Sequence, residues 1–136
     1  MFKLIKIINA GVNVPEPVAL KKETSLFIEA GTALIKGTSG ALSFCPSDEK
    51  PEFISIGRAL AGEGEVSCYA VEDNMIFETR IAGNPSSLKV GDKIVLIEDD
   101  NGCTSYCSSV TTNGVATITD LCGAKESSDR INVKFE

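Results

Sequence analysis

The sequence predicts an all-β fold, a small barrel or sandwich of short antiparallel strands with an extended N-terminal arm, and three observations lead there. Turn residues recur from end to end, among them Gly31, Gly37 with Gly40, Pro46, Pro51, Gly57, Gly62 with Gly64, Gly83-Asn84-Pro85, Gly91, Asn101-Gly102, Asn113-Gly114 and Gly123. Few of the gaps would hold a three-turn helix, and short strands at such spacing are the signature of a sandwich or barrel. The core vocabulary is aliphatic, since hydrophobic residues make up 43% of the chain, aromatics 6%, and Trp is absent, which favours strands built from Val, Ile and Leu. The longest stretch free of Gly and Pro, 65–82, reads with period two where Met75, Phe77, Thr79 and Ile81 alternate with Ile76, Glu78 and Arg80.

In chain order, residues 1–17 are expected as an extended arm and 18–136 as a single β domain, because 136 residues suffice to close one hydrophobic core but not two. The opening Phe2-Lys3-Leu4-Ile5-Lys6-Ile7-Ile8 is apolar but broken by charge. Pro15 and Pro17 bias their neighbours toward extended structure. Two readings are open for this segment: an edge strand followed by a linker, or an arm that docks on a partner through Val12, Asn13, Val14, Pro15, Glu16 and Pro17. Residues 18–30 are the one plausible helix, since Lys21, Lys22 and Glu23 interrupt any alternation. Strand-like 66–71 and 75–82 flank Glu72-Asp73-Asn74, whose turn chemistry predicts a hairpin. Asp99-Asp100-Asn101-Gly102 separates strands over 93–97 and 103–110. Asn113-Gly114, tolerant of positive φ, predicts a type I′ hairpin between 108–112 and 115–121. Residues 130–135 supply the last strand.

Composition narrows the function classes. Thirteen Lys and Arg against 19 Asp and Glu give a net charge of −6, with the basic residues scattered, so nucleic-acid binding is not expected. No stretch approaches the roughly 18 apolar residues of a membrane span, and the apolar start is too short for the core of a signal peptide. The absence of His removes the commonest general base and zinc ligand. Gly37-Thr38-Ser39-Gly40 lacks the spacing of a nucleophile elbow. In Gly62-Glu63-Gly64 the third glycine of a dinucleotide loop is replaced by Ser67. If Asp99-Asp100-Asn101-Gly102 were a calcium loop, Ile97 and Ser108 would stand at its first and last ligand positions. Each reads better as a turn. The five Cys (Cys45, Cys68, Cys103, Cys107, Cys122) show no zinc spacing. On one extended strand Cys103 and Cys107 would lie about 13 Å apart, too far for a disulfide. No catalytic, cofactor-binding or metal-binding residue is therefore assigned.

The distributed pattern nevertheless resembles a family. Asn13-Val14-Pro15-Glu16, Gly31-Thr32-Ala33-Leu34, Gly40-Ala41-Leu42, Lys50-Pro51-Glu52-Phe53-Ile54-Ser55, Gly62-Glu63-Gly64-Glu65, Met75-Ile76-Phe77-Glu78 and Val90-Gly91-Asp92-Lys93 together are similar to the small β-rich head decoration proteins of tailed bacteriophages, particularly phages of low-GC Gram-positive bacteria. The likeness spans nearly the whole chain and consists of turns entering strands, so it carries over no catalytic residues. It implies a non-enzymatic protein made in the host bacterial cytoplasm and added to the outer surface of the expanded capsid. There it binds the lattice of the major capsid protein, often as a homotrimer, and stabilises the head against packaged DNA. The rival expectations are a ligand- or carbohydrate-binding β-barrel, which an exposed pair of Tyr69 and Tyr106 flanking one groove would favour, and an enzyme built on two converging buried carboxylates.

Overall fold

A computed structural model describes residues 1–8 and 15–136. Among them the chain forms twelve strands: β1 (Lys3–Ile7), β2 (Val18–Lys21), β3 (Ala33–Lys36), β4 (Leu42–Phe44), β5 (Phe53–Ser55), β6 (Glu65–Ala70), β7 (Met75–Ala82), β8 (Lys93–Ile94), β9 (Leu96–Glu98), β10 (Thr104–Ser108), β11 (Ala116–Asp120) and β12 (Arg130–Phe135). The all-β expectation holds.

The larger sheet runs β8-β11-β12-β7-β10-β9, with β1 added to β7. Its two ends, β8 and β9, are one run of chain interrupted at Val95. At that point the Val95 amide donates to Val110 O (3.0 Å) and its carbonyl accepts from the Ser108 amide (2.8 Å). The sheet thus curls into a nearly closed barrel. Alternation explains its interior: Phe77, Thr79 and Ile81 of β7 and Ile131, Val133 and Phe135 of β12 are buried, while Glu78, Arg80, Asn132 and Lys134 are not. Ile94, Leu96 and Ile118 fill the remaining space, each full burial stabilising by about 1.5–3 kcal/mol.

The smaller sheet runs β2-β6-β5-β3-β4. A parallel bridge between Lys22 and Leu42, with the Glu23 amide donating to Leu42 O at 3.0 Å, draws its edges together around Ile28, Leu34, Leu42, Val66 and Cys68. Two buried clusters therefore stand where one core was expected, because each sheet curls around its own set of side chains. They remain coupled: Ala33 and Ile54 of the smaller sheet belong to the larger cluster. Thr104 Oγ1 donates to Cys45 O at 2.7 Å, and the Leu96 amide donates to Ser47 O at 2.9 Å.

Four local expectations are corrected. Residues 18–30 are not helical, since Val18–Lys21 pairs antiparallel with β6. The alternation breaks there because Lys22 turns inward at 3% exposure, its ammonium donating to Leu26 O (2.6 Å) and Glu23 O (3.1 Å). Strands β6 and β7 are no hairpin either: β6 pairs with β2 and β5, and β7 with β1, β12 and β10. Glu72-Asp73-Asn74 is instead the corner where the chain passes from one sheet to the other, because Val66 and Cys68 bury in one cluster and Phe77 and Ile81 in the other. Nor do β10 and β11 pair with each other; β10 lies between β7 and β9, and β11 between β8 and β12. Asn113 does adopt φ +59°, but Gly114 lacks a side chain for another reason, as a Cβ there would collide with the Lys93 carbonyl. The fourth correction concerns the arm. Lys3–Ile7 is a strand on β7, and Phe2 is a core residue at 2% exposure, so the opening residues follow the edge-strand reading. By contrast, the turn at Asp99–Gly102 does join the antiparallel pair β9 and β10.

Candidate functional site: a groove along β1

Among the described residues strand β1 is anchored along one edge. It pairs with Met75–Glu78 of β7 through a bulge between Leu4 and Lys6. Its ends are fixed by the Phe2 amide donating to Gly31 O and the Ile8 amide donating to Asn74 O, both at 2.8 Å. Among the described residues no strand covers its other side. Between β1 and the smaller sheet lies an open groove of about 530 Å³, walled by Ile5 and Ile7 of β1, by Ile54 and Ile56, and by Tyr69 of β6, with Pro15 at its lip. Met1, Ile5, Ile8 and Ile56 leave much apolar surface in water, which in a monomer marks an interaction face.

Of the residues expected to meet a partner, Val12, Asn13 and Val14 lie outside the described residues. Pro15 is half-buried against the groove, and Glu16 and Pro17 are exposed where the chain enters β2. Tyr69 stands in this groove without Tyr106, and the sequence does not show that Ile5 and Ile56 join it, since the three come from distant segments. The one signal that pointed toward them was the apolar run 2–8, too hydrophobic for a solvated arm.

Elsewhere the chemistry is quiet. All five thiols are unbridged, Cys103 and Cys107 included, and four of the five are buried. Burial, reinforced by Glu49, pushes Cys45 up to about 12; burial pushes Cys68 up to about 11 and raises Cys107 and Cys103 as well. Thiols held protonated are poor nucleophiles and poor metal ligands. No Asp or Glu is among the buried polar residues, and among the described residues no cluster of His, Cys, Asp and Glu could hold a metal ion. Tyr69 lines the β1 groove, whereas Tyr106 lines an adjoining pocket; among the described residues the two do not line one groove. Lys50 lowers the Asp73 carboxyl through a 2.7 Å hydrogen bond. The amides of Lys125 and Glu126 lower that of Asp129.

No protein-family model and no curated protein sequence matches the chain. Among solved structures, the head fiber gp8.5 N base in bacteriophage phi29 is similar over 89% of this chain and 95% of its own, with a TM-score of 0.53 and 12% identity. At that identity the likeness is one of fold, and it falls on a protein of the bacteriophage head, as does the resemblance carried by the sequence.

Proposed function

We propose that this chain is a non-enzymatic structural component of a bacteriophage virion that docks on the outer surface of the expanded head and stabilises it. The observation that carries this reading is a fold shared, over 89% of one chain and 95% of the other, with the base of a phage head fiber. The groove along β1 is the docking face in this proposal. An extended segment of the major capsid protein lying beside β1 would add a strand to its open edge and cover Ile5 and Ile56. Many copies, self-associated as trimers, would each bind only the assembled lattice and so stabilise it by mass action. The carbohydrate-binding alternative finds no support in the tyrosines, which do not share a groove.

The test is co-sedimentation of the purified protein with expanded, undecorated heads of its own phage. Removing residues 1–17 would also remove Phe2 and β1, so the informative variants are Ile5→Glu with Ile56→Glu, and Gly-Ser-Gly in place of Pro15-Glu16-Pro17. Saturable binding lost in the groove variant supports the proposal. Heads that sediment without the wild-type protein at micromolar concentration overturn it, and binding untouched by both variants moves the docking face elsewhere.

A further inference from the structure

A second pocket, of about 380 Å³, opens on the outer face of the barrel and is lined by Lys3, Glu78, Arg80, Tyr106 and Arg130. Register brings these residues together. Lys3 lies opposite Glu78 in the β1–β7 pairing, and Arg130 lies opposite Arg80 in the β12–β7 pairing. Tyr106 precedes Cys107, the partner of Ile81, and so stands beside Arg80 where β10 takes over from β1 along the same edge of β7.

The charge balance there runs against the rest of the molecule. The chain carries −6 overall, yet this pocket gathers three cations around one carboxylate. Two arginines directly opposite each other on neighbouring strands repel and destabilise the pair. Little on the protein relieves this: Arg130 reaches Glu78 only at 3.8 Å, with its side chain 63% exposed, and Arg80 donates to Ser128 O at 2.8 Å. Asp129, the other acid near Arg80, is engaged by the amides of Lys125 and Glu126.

We infer that this pocket is an oxyanion-binding site. Arg80 and Arg130, whose backbones pair across β7 and β12, bring two guanidinium groups to this pocket, each a planar fork that matches a carboxylate or the oxygens of sulfate or phosphate, and charge-assisted bonds from Arg are the strong ones. Lys3 adds a third cation, and the Tyr106 phenol can donate from the wall. The ligand is a carboxylate or a comparable oxyanion, carried by an acidic protein segment or free in solution. The pocket borders the groove along β1 and shares Met1 and Lys3 with it, but the inference does not rest on any role in a virion.

The experiment is an amide chemical-shift titration of the full chain with sodium sulfate, sodium succinate and an end-blocked hexaglutamate peptide, at ionic strength held constant with sodium chloride. Saturable shifts confined to the neighbourhoods of residues 3, 78–80, 106 and 130 are expected. Arg130→Gln should weaken binding about tenfold, the scale of one charge-assisted hydrogen bond, and Lys3→Gln should weaken it less. The melting temperature of Arg130→Gln should equal or exceed that of the wild type, which a purely structural arginine would not allow. Hexaglutamate binding more tightly than succinate identifies an acidic protein segment as the source, and equal binding identifies a free anion. Shifts that are linear in every titrant, or unchanged in both variants, overturn the assignment.

Discussion

Phe2 and Gly31 join the barrel to the smaller sheet at a point with no room to spare. The Phe2 amide donates to Gly31 O at 2.8 Å. A Cβ on Gly31, whose φ is +78°, would stand 2.6 Å from Met1 Cβ and 2.8 Å from Phe2 O. Both the positive φ and the contact demand glycine. Gly31→Ala is expected to cost about 1–3 kcal/mol from backbone strain, with a further loss from displacement of β1. Urea unfolding of the two proteins measures it; equal midpoints would mean that β1 is not seated as described.

The side chain of Phe2 completes the same anchor. Its ring meets that of Phe135 edge-on, with centroids 5.4 Å apart and planes at 72°, and Phe135 in turn packs on Phe77 at 5.4 Å. Phe2→Ala should destabilise by about 3 kcal/mol. A double-mutant cycle with Phe135→Leu should return a coupling of about 1 kcal/mol. A Phe2→Ala protein as stable as wild type would show that the opening strand contributes nothing to the core.

Thiol accessibility should divide the cysteines sharply. Cys122 is exposed, and Cys45, Cys68, Cys103 and Cys107 are buried. A colourimetric thiol reagent should titrate one group in the native protein and five after denaturation. Cys122→Ser should abolish the native reaction. That reaction should itself be slow at neutral pH, because partial burial and the nearby Asp120 raise the Cys122 thiol and reduce its thiolate fraction.

Acid should loosen the loop before β12. The Asp129 carboxylate accepts from the Lys125 amide at 2.8 Å and the Glu126 amide at 2.9 Å, which holds its folded pKa below the ordinary aspartate value. With the folded pKa depressed, the ionised group's contribution is complete above about pH 5 and is lost as the pH falls through the lowered value. Thermal scans from pH 7 to pH 2.5 should therefore show a shallower acid loss for Asp129→Asn than for wild type, from a lower starting point at pH 7. Parallel curves would exclude the contribution.

The candidate groove was only partly legible beforehand. Pro15 at its lip belongs to the segment expected to meet a partner, because two prolines spaced by one residue keep that chain extended. That Ile5, Ile56 and Tyr69 meet was not legible, because they converge from β1, from the residue after β5 and from β6, and no local spacing records that meeting. The basic pocket escaped for the same reason: Arg80 and Arg130 become neighbours only through the β7–β12 register.

What the sequence alone determined is the strand character of the chain and the faces of its strongest strands. The alternation from Phe77 to Ile81, the last strand over Arg130–Phe135 and the turn at Asp99–Gly102 carry directly into the structure, although Ile76, expected on the outer face, is buried at 6% exposure; side-chain period and turn conformation are local properties. Strand partnership was decided by the tertiary structure. Period two says that Val66 and Phe77 each face a core, but not that they face different ones. A turn-forming tripeptide such as Glu72-Asp73-Asn74 serves a corner between sheets as readily as a hairpin. Since lengthening a loop adds little entropy to its closure, the burial available in two curled sheets outweighed the local pairing that sequence neighbours would have made.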